Sequence, residues 1–486
     1  MKIRFSTVFS TILALSSIRF CIGTRDIRDV SPRPSKDDYL KWLDYTSYPF
    51  FHSSTSMAVK IINDNTIELS STILTREDHR YTSLKYLDVS NGKLETIRSN
   101  AFVNVKTYYW GSRLNCVYYL LLNNNRISNL ETDAFSSLDE LKHLDLSNNN
   151  LSFINNDFEN LKNLNLLNLS NNNISYINIT AIYASEIDLS NNNLSDISIV
   201  GIEKRRPSIN LSFNKLTSIL VNNSFLNELD ISNNKLQSLN ATYISESGIV
   251  QLNASNNQIH EFKITEIVKS LKVLDLSFNN MSDFTYSNFS ILQHLNLSDN
   301  YFKHITNGAF NELENLNTLN LANNYLEVIQ NETFIGLKNL NVLIISNNRL
   351  KTLETGSFRD LIKLNYLNLA NNLLESTSSG TLSESLKGLW GLNKLNLANN
   401  SIKTIVSENF YGLDSLYQLD LTYQNLTDLP IGVFNYLYYL KTLNLSCNSL
   451  ETIKKGIFTG LNKLETLSLA FNKLKTFEYE SFYIHC

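Results

Sequence analysis

Cysteine is scarce in this chain, and its scarcity excludes the commonest way of closing a small extracellular cap. The 486 residues contain 4 cysteines, Cys21, Cys116, Cys447 and Cys486, and none lies between residues 24 and 115. Any cap ahead of the regular part of the chain must therefore hold by packing rather than by disulfides. Basic charge is also lacking. With 42 Lys+Arg against 46 Asp+Glu the net charge is -4, which leaves no basic stripe and makes nucleic acid an unexpected partner. Long apolar runs are missing after the first 23 residues, so no membrane span is expected. Catalytic signatures are missing too: there is no G-x-S-x-G, no Gly-rich phosphate loop, no H-E-x-x-H and no C-x-x-C. The 7 histidines are scattered, and no cofactor or metal site is expected. These absences point away from an enzyme.

What is present is a repeat. From Leu292 the chain reads LQHLNLSDNYFKHITNGAF, from Leu316 LNTLNLANNYLEVIQNETF, and from Leu340 LNVLIISNNRLKTLETGSF, each copy 24 residues after the last. The shared order is L-x-x-L-x-L-x-x-N-x-L-x-x-L, a spacer, a Phe, and a Leu before the next copy. Alternation places Leu319 and Leu321 on the inward side of a short strand. Asn324 turns the chain and can hydrogen-bond the backbone of neighbouring coils. Leu326 and Ile329 fill the next side, and Phe334 the far side. One coil cannot bury this apolar face alone, whereas a stack buries it continuously.

Coil starts fall at Leu84, Val117, Leu141, Leu164, Ala184, Arg206, Leu226, Ile249, Leu271, Leu292, Leu316, Leu340, Leu364, Leu392, Leu416, Leu440 and Leu464, 17 in all. The ladder Asn is present in 15 of these coils, and Gly92 and Gln424 replace it in the others. The predicted fold is an α/β solenoid, a leucine-rich repeat horseshoe of about 17 repeats with a parallel β-sheet on its concave face. Phe102, Phe135 and Phe158 occupy the far side early. The Phe is absent from the shorter coils at about 164–270, and Phe289 restores the long form. The short coils should make the centre flatter than the two ends.

Ahead of the coils, residues 1–23 read as a signal peptide: Lys2 and Arg4 are followed by the apolar run Val8–Leu15, and Gly23 offers a small residue for cleavage. Residues 24–56 read as a mobile lead-in holding Pro32, Pro34 and Pro49, and 57–83 as an N-terminal cap. The solenoid then runs over 84–486. The expected location is secreted and extracellular.

Partner-binding candidates come from residues without a core position. The first coil is extended by KTYYWGSRLNC, so Tyr108, Tyr109, Trp110 and Arg113 read either as interface anchors or as a loop folded over the capped end. A second long coil, from Leu364, lets Leu386 replace the missing Phe and leaves Trp390 without an inward place. On the inner strand face the candidates are Tyr86, Tyr119, His143, Val342, Ile344 and Tyr366. The recurrent mid-strand Asp residues (Asp145, Asp188, Asp230, Asp275, Asp420) read as a solvated inner face. Cys447 reads as a small packed side chain. Cys486 is the candidate for an intermolecular disulfide, or for a chain ending inside a repeat, with Leu464, Leu467 and Leu469 left as an open apolar end that a partner could cover. Glycosylation candidates are Asn150, Asn173, Asn178, Asn193, Asn222, Asn240, Asn280, Asn288, Asn331, Asn399 and Asn425. Further sequons at Asn168, Asn210, Asn296 and Asn444 arise because LNLS spells one.

The coils with their GAF/GSF-type Phe segment resemble the extracellular leucine-rich repeats of animal Toll-type receptors, and the exported, Asn-rich form resembles the secreted leucine-rich immune proteins of insects. The resemblance covers residues 84–486. It implies a binding role in pathogen surveillance, with a protein or glycan ligand. The chain departs from those immune proteins in lacking their C-terminal cysteine cluster and coiled coil, and from Toll-type receptors in lacking a span and a signalling domain. A cell-adhesion or matrix-organising protein is the alternative, and a secreted enzyme inhibitor a more distant one.

Overall fold

The computed structural model describes residues 58–60, 68–69, 86–102, 108–109, 112–113, 117–154, 158–179, 182–200, 207–222, 226–240, 248–263, 270–284, 289–375 and 381–482. Within residues 57–486, 18 strands form a single parallel sheet. Each coil adds one three-residue strand, and successive strands pair in strict register: Leu87 opposite Leu120, Leu120 opposite Leu144, Leu144 opposite Leu167. All 17 expected coils supply a strand. The eighteenth is Ala58–Lys60, which pairs with Tyr86–Asp88, while Glu68–Leu69 pairs with Thr96–Ile97. The two strands are offset by the same interval in both segments, so Ala58–Lys60 and Glu68–Leu69 keep the spacing of the first coil's two strands.

The coil at Leu316 shows how sequence becomes shape. Leu316, Leu319, Leu321, Leu326 and Ile329 are fully buried, and Phe334 nearly so. Every such side chain removes apolar surface from water, worth about 2 kcal/mol each, and neighbouring coils complete its burial. Far-side rings stack from coil to coil: Phe310 on Phe334 at 6.2 Å, Phe334 on Phe358 at 5.8 Å, Phe434 on Phe458 at 6.4 Å. Leu386 takes the Phe place as expected and is fully buried. It ends the helix Thr381–Leu386, and the buried Ser385 hydroxyl donates to Leu353 O at 2.9 Å.

The Phe-free coils solve the far side differently. Ser198–Val200 pairs with Leu220–Asn222, and Ser238–Asn240 with Glu261–Lys263, as three-residue parallel strands, where long coils pair only two residues, as in Val328–Ile329 with Thr352–Leu353. Ile199, Val221 and Leu239 fill the interior there. The return of the rings differs from expectation. Phe262 already stacks on Phe289 at 6.3 Å, and Phe310 packs tilted against Phe284 at 5.9 Å. The spine thus restarts on a second-strand Phe, because these rings reach the far side from the neighbouring position.

Candidate functional site: the inner sheet and the corner that holds it

The inner face is positioned by a corner repeated in every coil. Its first element is the third strand residue, which is Asp or Asn in all coils except those with Leu121, Ile344 and Ser468. The Oδ1 of that Asp or Asn accepts the N–H two residues on. Ser147 N donates to Asp145 at 2.9 Å, Ser190 N to Asp188 at 2.9 Å, and Ala322 N to Asn320 at 3.1 Å. This is the side chain imitating a turn. The next element is a left-handed residue, present in each coil from Asn91 to Phe471 with φ between 52° and 58°. Asn tolerates this region and dominates here. The third element is the ladder Asn. Asn234 Nδ2 donates to Leu211 O, Ile231 O and Ser232 O at 3.0 Å each, and its Oδ1 accepts from Leu216 N at 2.9 Å. Two of those partners, Leu211 and Leu216, belong to the preceding coil, so each amide ties two coils together.

Substitutions in the ladder keep as much of this as their length allows. Gln424 Nε2 reaches Leu397 O at 2.6 Å and Oε1 accepts from Ile402 N at 3.2 Å. At Gly92 an added Cβ would stand 2.7 Å from Asn125 Oδ1, the atom that accepts Leu94 N. The column of Asp residues is therefore more than a solvated surface. Each carboxylate caps a turn, and Asp275 also accepts Asn296 Nδ2 at 3.1 Å. Burial raises the Asp275 carboxyl above its usual range, with Asp230 adding to the rise and the hydrogen bonds from Ser277 and Asn296 opposing it. Cys447 likewise departs from expectation. It occupies the left-handed corner at φ 56° and is only partly buried, because the side chain there points away from the core.

On this frame the first strand residues form a row across the sheet, and the row has two faces of unlike chemistry. Tyr86, Tyr119 and His143 lie side by side, with ring centroids 5.9 and 6.0 Å apart. Leu166 follows, and Lys142 sits 4.6 Å over the Tyr118 ring alongside. Burial pushes the Tyr86 hydroxyl up to about 12, helped by Asp88 and Asp145. Burial lowers His143 below its usual value, and Asp145 opposes that shift. The patch is accordingly aromatic, with the Lys142 ammonium at its edge. Next in the row come Glu186, Ser208, Glu228 and Gln251, beside Asp188 and Asp230. Burial raises the Glu228 carboxyl; a hydrogen bond from Ser208 opposes it and Glu186 adds to it.

A second aromatic patch follows. Val342 and Tyr366 are adjacent, Lys394 is next, and its ammonium lies 5.5 Å from the Tyr417 ring. Tyr366 is raised by burial, while a hydrogen bond with Asn396 opposes the shift and Asp420 adds to it. Ile344 does not belong with these. It is 5 % exposed, flanked in its row by Asn320 and Asn368. Side chains one strand apart crowd the third-residue row and cover it.

Tyr108–Tyr109 and Ser112–Arg113 form a two-stranded antiparallel ribbon, which is as far as the described backbone takes that group; Trp110 and Cys486 lie outside the described residues. Trp390 is exposed, lying 3.7 Å from where a Cβ on Gly412 would stand. Leu464, Leu467 and Leu469 are partly buried against the core. Among the described residues no cluster of three or more His, Cys, Asp and Glu could hold a metal ion, and no helix is long and apolar enough to cross a membrane.

Comparisons with known proteins agree with this geometry. A family described as "Leucine rich repeat" matches residues 117–177, 290–350, 314–374, 338–384 and 414–474. This is a repeat scaffold of the kind that typically binds rather than catalyses. No curated protein matches the chain. Among solved structures, a leucine-rich repeat protein of Leptospira interrogans is 25% identical, with 75% of this chain and 90% of that one covered, at a TM-score of 0.58. The Drosophila Toll–Spatzle complex matches at 20% identity and a TM-score of 0.60, over 80% of this chain and 51% of that one. The chain thus spans about half the length of that Toll chain. A plant peptide hormone receptor, RGFR1 in complex with RGF2, matches at 23% identity and a TM-score of 0.51, over 80% of this chain and 60% of that one. Coil geometry, repeat matches and structural neighbours describe one architecture, the leucine-rich repeat fold.

Proposed function

We propose that this chain is an extracellular recognition protein, acting in innate immunity, that grips an extended protein surface along its inner sheet. The observation that carries the reading is the arrangement of the first strand row. Two aromatic patches, Tyr86–Tyr119–His143 and Val342–Tyr366 with Lys394 and Tyr417, flank an acidic stretch from Glu186 to Glu228. Half-buried Tyr side chains are favoured interface anchors because they bury a large area with few rotors. Concave solenoid sheets offer such anchors in a line that a long partner can follow. The acidic stretch would take basic side chains of that partner.

Export is supported by the composition of the chain start, with Lys2 and Arg4 ahead of Val8–Leu15. The immune assignment is supported by the resemblance of the coils to Toll-type and secreted insect immune repeats. The test is retention of the purified chain on intact microbial cells and on thioester proteins of the complement type. The expected result is binding that falls about thirtyfold for Tyr119→Ala, the loss of one interface anchor of about 2 kcal/mol. Aggregation of animal cells or retention in matrix, with no microbial or thioester binding, would replace the immune role by an adhesive one.

A further inference from the structure

Two of the registers in which the sequence spells Asn-X-Ser/Thr fall on different surfaces of the fold. In one register the Asn is the third strand residue: Asn168, Asn210, Asn253, Asn296 and Asn444. These lie on the inner face, each between two neighbours of the same row. Asn168 stands between Asp145 and Asp188, and Asn210 between Asp188 and Asp230. Their Oδ1 atoms are the corner clamps, accepting Ser170 N at 3.1 Å, Ser212 N at 3.0 Å, and Ser298 N and Ser446 N at 3.2 Å each. In Asn168 and Asn444 the sequon's own hydroxyl donates to the same oxygen, at 2.7 and 2.8 Å. Asn296 Nδ2 is further engaged with Asp275.

In the other register the Asn directly follows the ladder residue: Asn150, Asn173, Asn193, Asn280 and Asn425. Here the backbone, not the side chain, is tied down. Asn150 N donates to Ile127 O, Asn173 N to Leu151 O, Asn193 N to Ile174 O and Asn280 N to Ile259 O, all at 2.8 Å. The side chains turn outward. Asn150, Asn173, Asn280 and Asn425 are exposed and Asn193 partly so, and the sequon hydroxyls Ser152, Ser175, Ser195, Ser282 and Thr427 are exposed in every case. Asn173 Nδ2 donates to Asn150 Oδ1 at 2.6 Å, a bond that needs only one of its two amide hydrogens.

We propose that the exported chain carries N-linked glycans on the row Asn150, Asn173, Asn193, Asn280 and Asn425 and not on the strand row Asn168, Asn210, Asn253, Asn296 and Asn444. Sugar would then cover the flank that follows the corner and leave the inner sheet bare. The donor is a lipid-linked diphospho-oligosaccharide. Asn Nδ2 forms a bond to sugar C1, the C1–O bond to the diphosphate breaks, the lipid diphosphate leaves, and Nδ2 gives up one proton. The modified amide keeps its oxygen and one N–H, which suffices on the flank. On the strand row the attached sugar has to stand between side chains ~4.8 Å away on either side while the amide holds the turn, so a chain modified there does not close its coils. In the same flank row Tyr301 stacks on Tyr325 at 5.9 Å, and Arg349 lies 4.5 Å over the Tyr325 ring. Those flank-row positions hold Tyr or Arg in place of a sequon Asn.

The inference rests on the reading of the chain as exported. The test is secretion of the full chain from a eukaryotic cell line, followed by enzymatic release of the glycans in heavy-oxygen water and peptide mass mapping of the labelled Asp left at each site. The expected result is label at the flank Asn residues and none at the strand Asn residues. Ser152→Ala should lose the label at Asn150 alone with secretion unchanged. Label on the strand row of the secreted chain, or a secreted chain without flank label, would overturn the partition while leaving export intact. Retention in the cell with every sequon unmodified would overturn export itself, and the partition with it.

Discussion

The short coils of residues 164–270 and the long coils on either side of them share a corner and differ in almost everything else. Both use the turn-capping Asp or Asn, the left-handed residue and the ladder Asn, with the same bonds: Asn234 in a short coil and Asn324 in a long one each donate to three carbonyls and accept one N–H. The far side carries a stack of Phe rings in the long coils, while the short coils lengthen the paired second strand from two residues to three. The inner face changes with it, from Tyr86, Tyr119 and His143 to Glu186 and Glu228, then back to Val342 and Tyr366. The corner therefore fixes the sheet, while the far side and the inner face are free to vary by region. The account assigns partner anchoring to the flanking coils and spacing and charge to the middle.

The largest effect should be indifferent to region. Asn234→Ala and Asn324→Ala each strand a buried N–H of the preceding coil, at about 2 kcal/mol. Each also removes one hydrogen bond from each of three carbonyls, about 2 kcal/mol more together, although Leu211 O keeps Asn214 Nδ2 and Leu297 O keeps Asn300 Nδ2. Both variants should lose about 4 kcal/mol in urea denaturation, and a loss confined to one of them would break the common corner. A regional difference should follow on the far side. Phe334→Ala opens a cavity between Phe310 and Phe358 and should cost about 3 kcal/mol. Val221→Ala removes less volume from the short-coil interior and should cost clearly less.

Smaller effects sharpen the corner itself. Phe213 and Phe278 hold the left-handed position at φ 55° and 54° with their rings largely in solvent. Phe278→Asn should stabilise by about 1 kcal/mol, because a bulky side chain is strained there, and Asn323→Phe should lose a similar amount. The smallest effects concern protons. For Asp275 the raised carboxyl means that, between 3.8 and its folded value, the folded chain holds more proton than the unfolded one, so stability falls as pH rises through that window. For His143 the lowered value means that the unfolded chain holds more proton just below 6.5, so stability falls as pH drops through that range. Asp275→Asn should flatten the first slope and His143→Gln the second in thermal melts across pH.

Much of this was legible in the sequence because a repeat states its core many times. Leu319, Leu321, Asn324 and Phe334 fall where their spacing places them, and Leu386 replaces the missing Phe. The Asn before the ladder Asn was not read as a separate signal, although NN recurs along the chain; its function is a backbone angle, which hydrophobic periodicity does not report. The turn-capping use of Asp145 and its equivalents was missed for the same reason. Ile344 was misplaced because alternation gives the direction of a side chain but not how closely its neighbours in the row cover it. Tyr86, Tyr119 and His143 could be assigned to one face from alternation, yet their ring-to-ring contact depends on the strand register. Phe262 escaped notice because it fills the far side from a different position in its coil.

The most direct test of the division between flanking and middle coils is the affinity of Tyr119→Ala, Tyr366→Ala and Glu228→Gln for the microbial surface or thioester protein that the wild-type chain retains, measured at several salt concentrations. The account predicts a loss of about thirtyfold for each Tyr variant, and for Glu228→Gln a change of a few fold that fades as salt screens it. Full affinity in both Tyr variants, with binding abolished by Glu228→Gln, would contradict it.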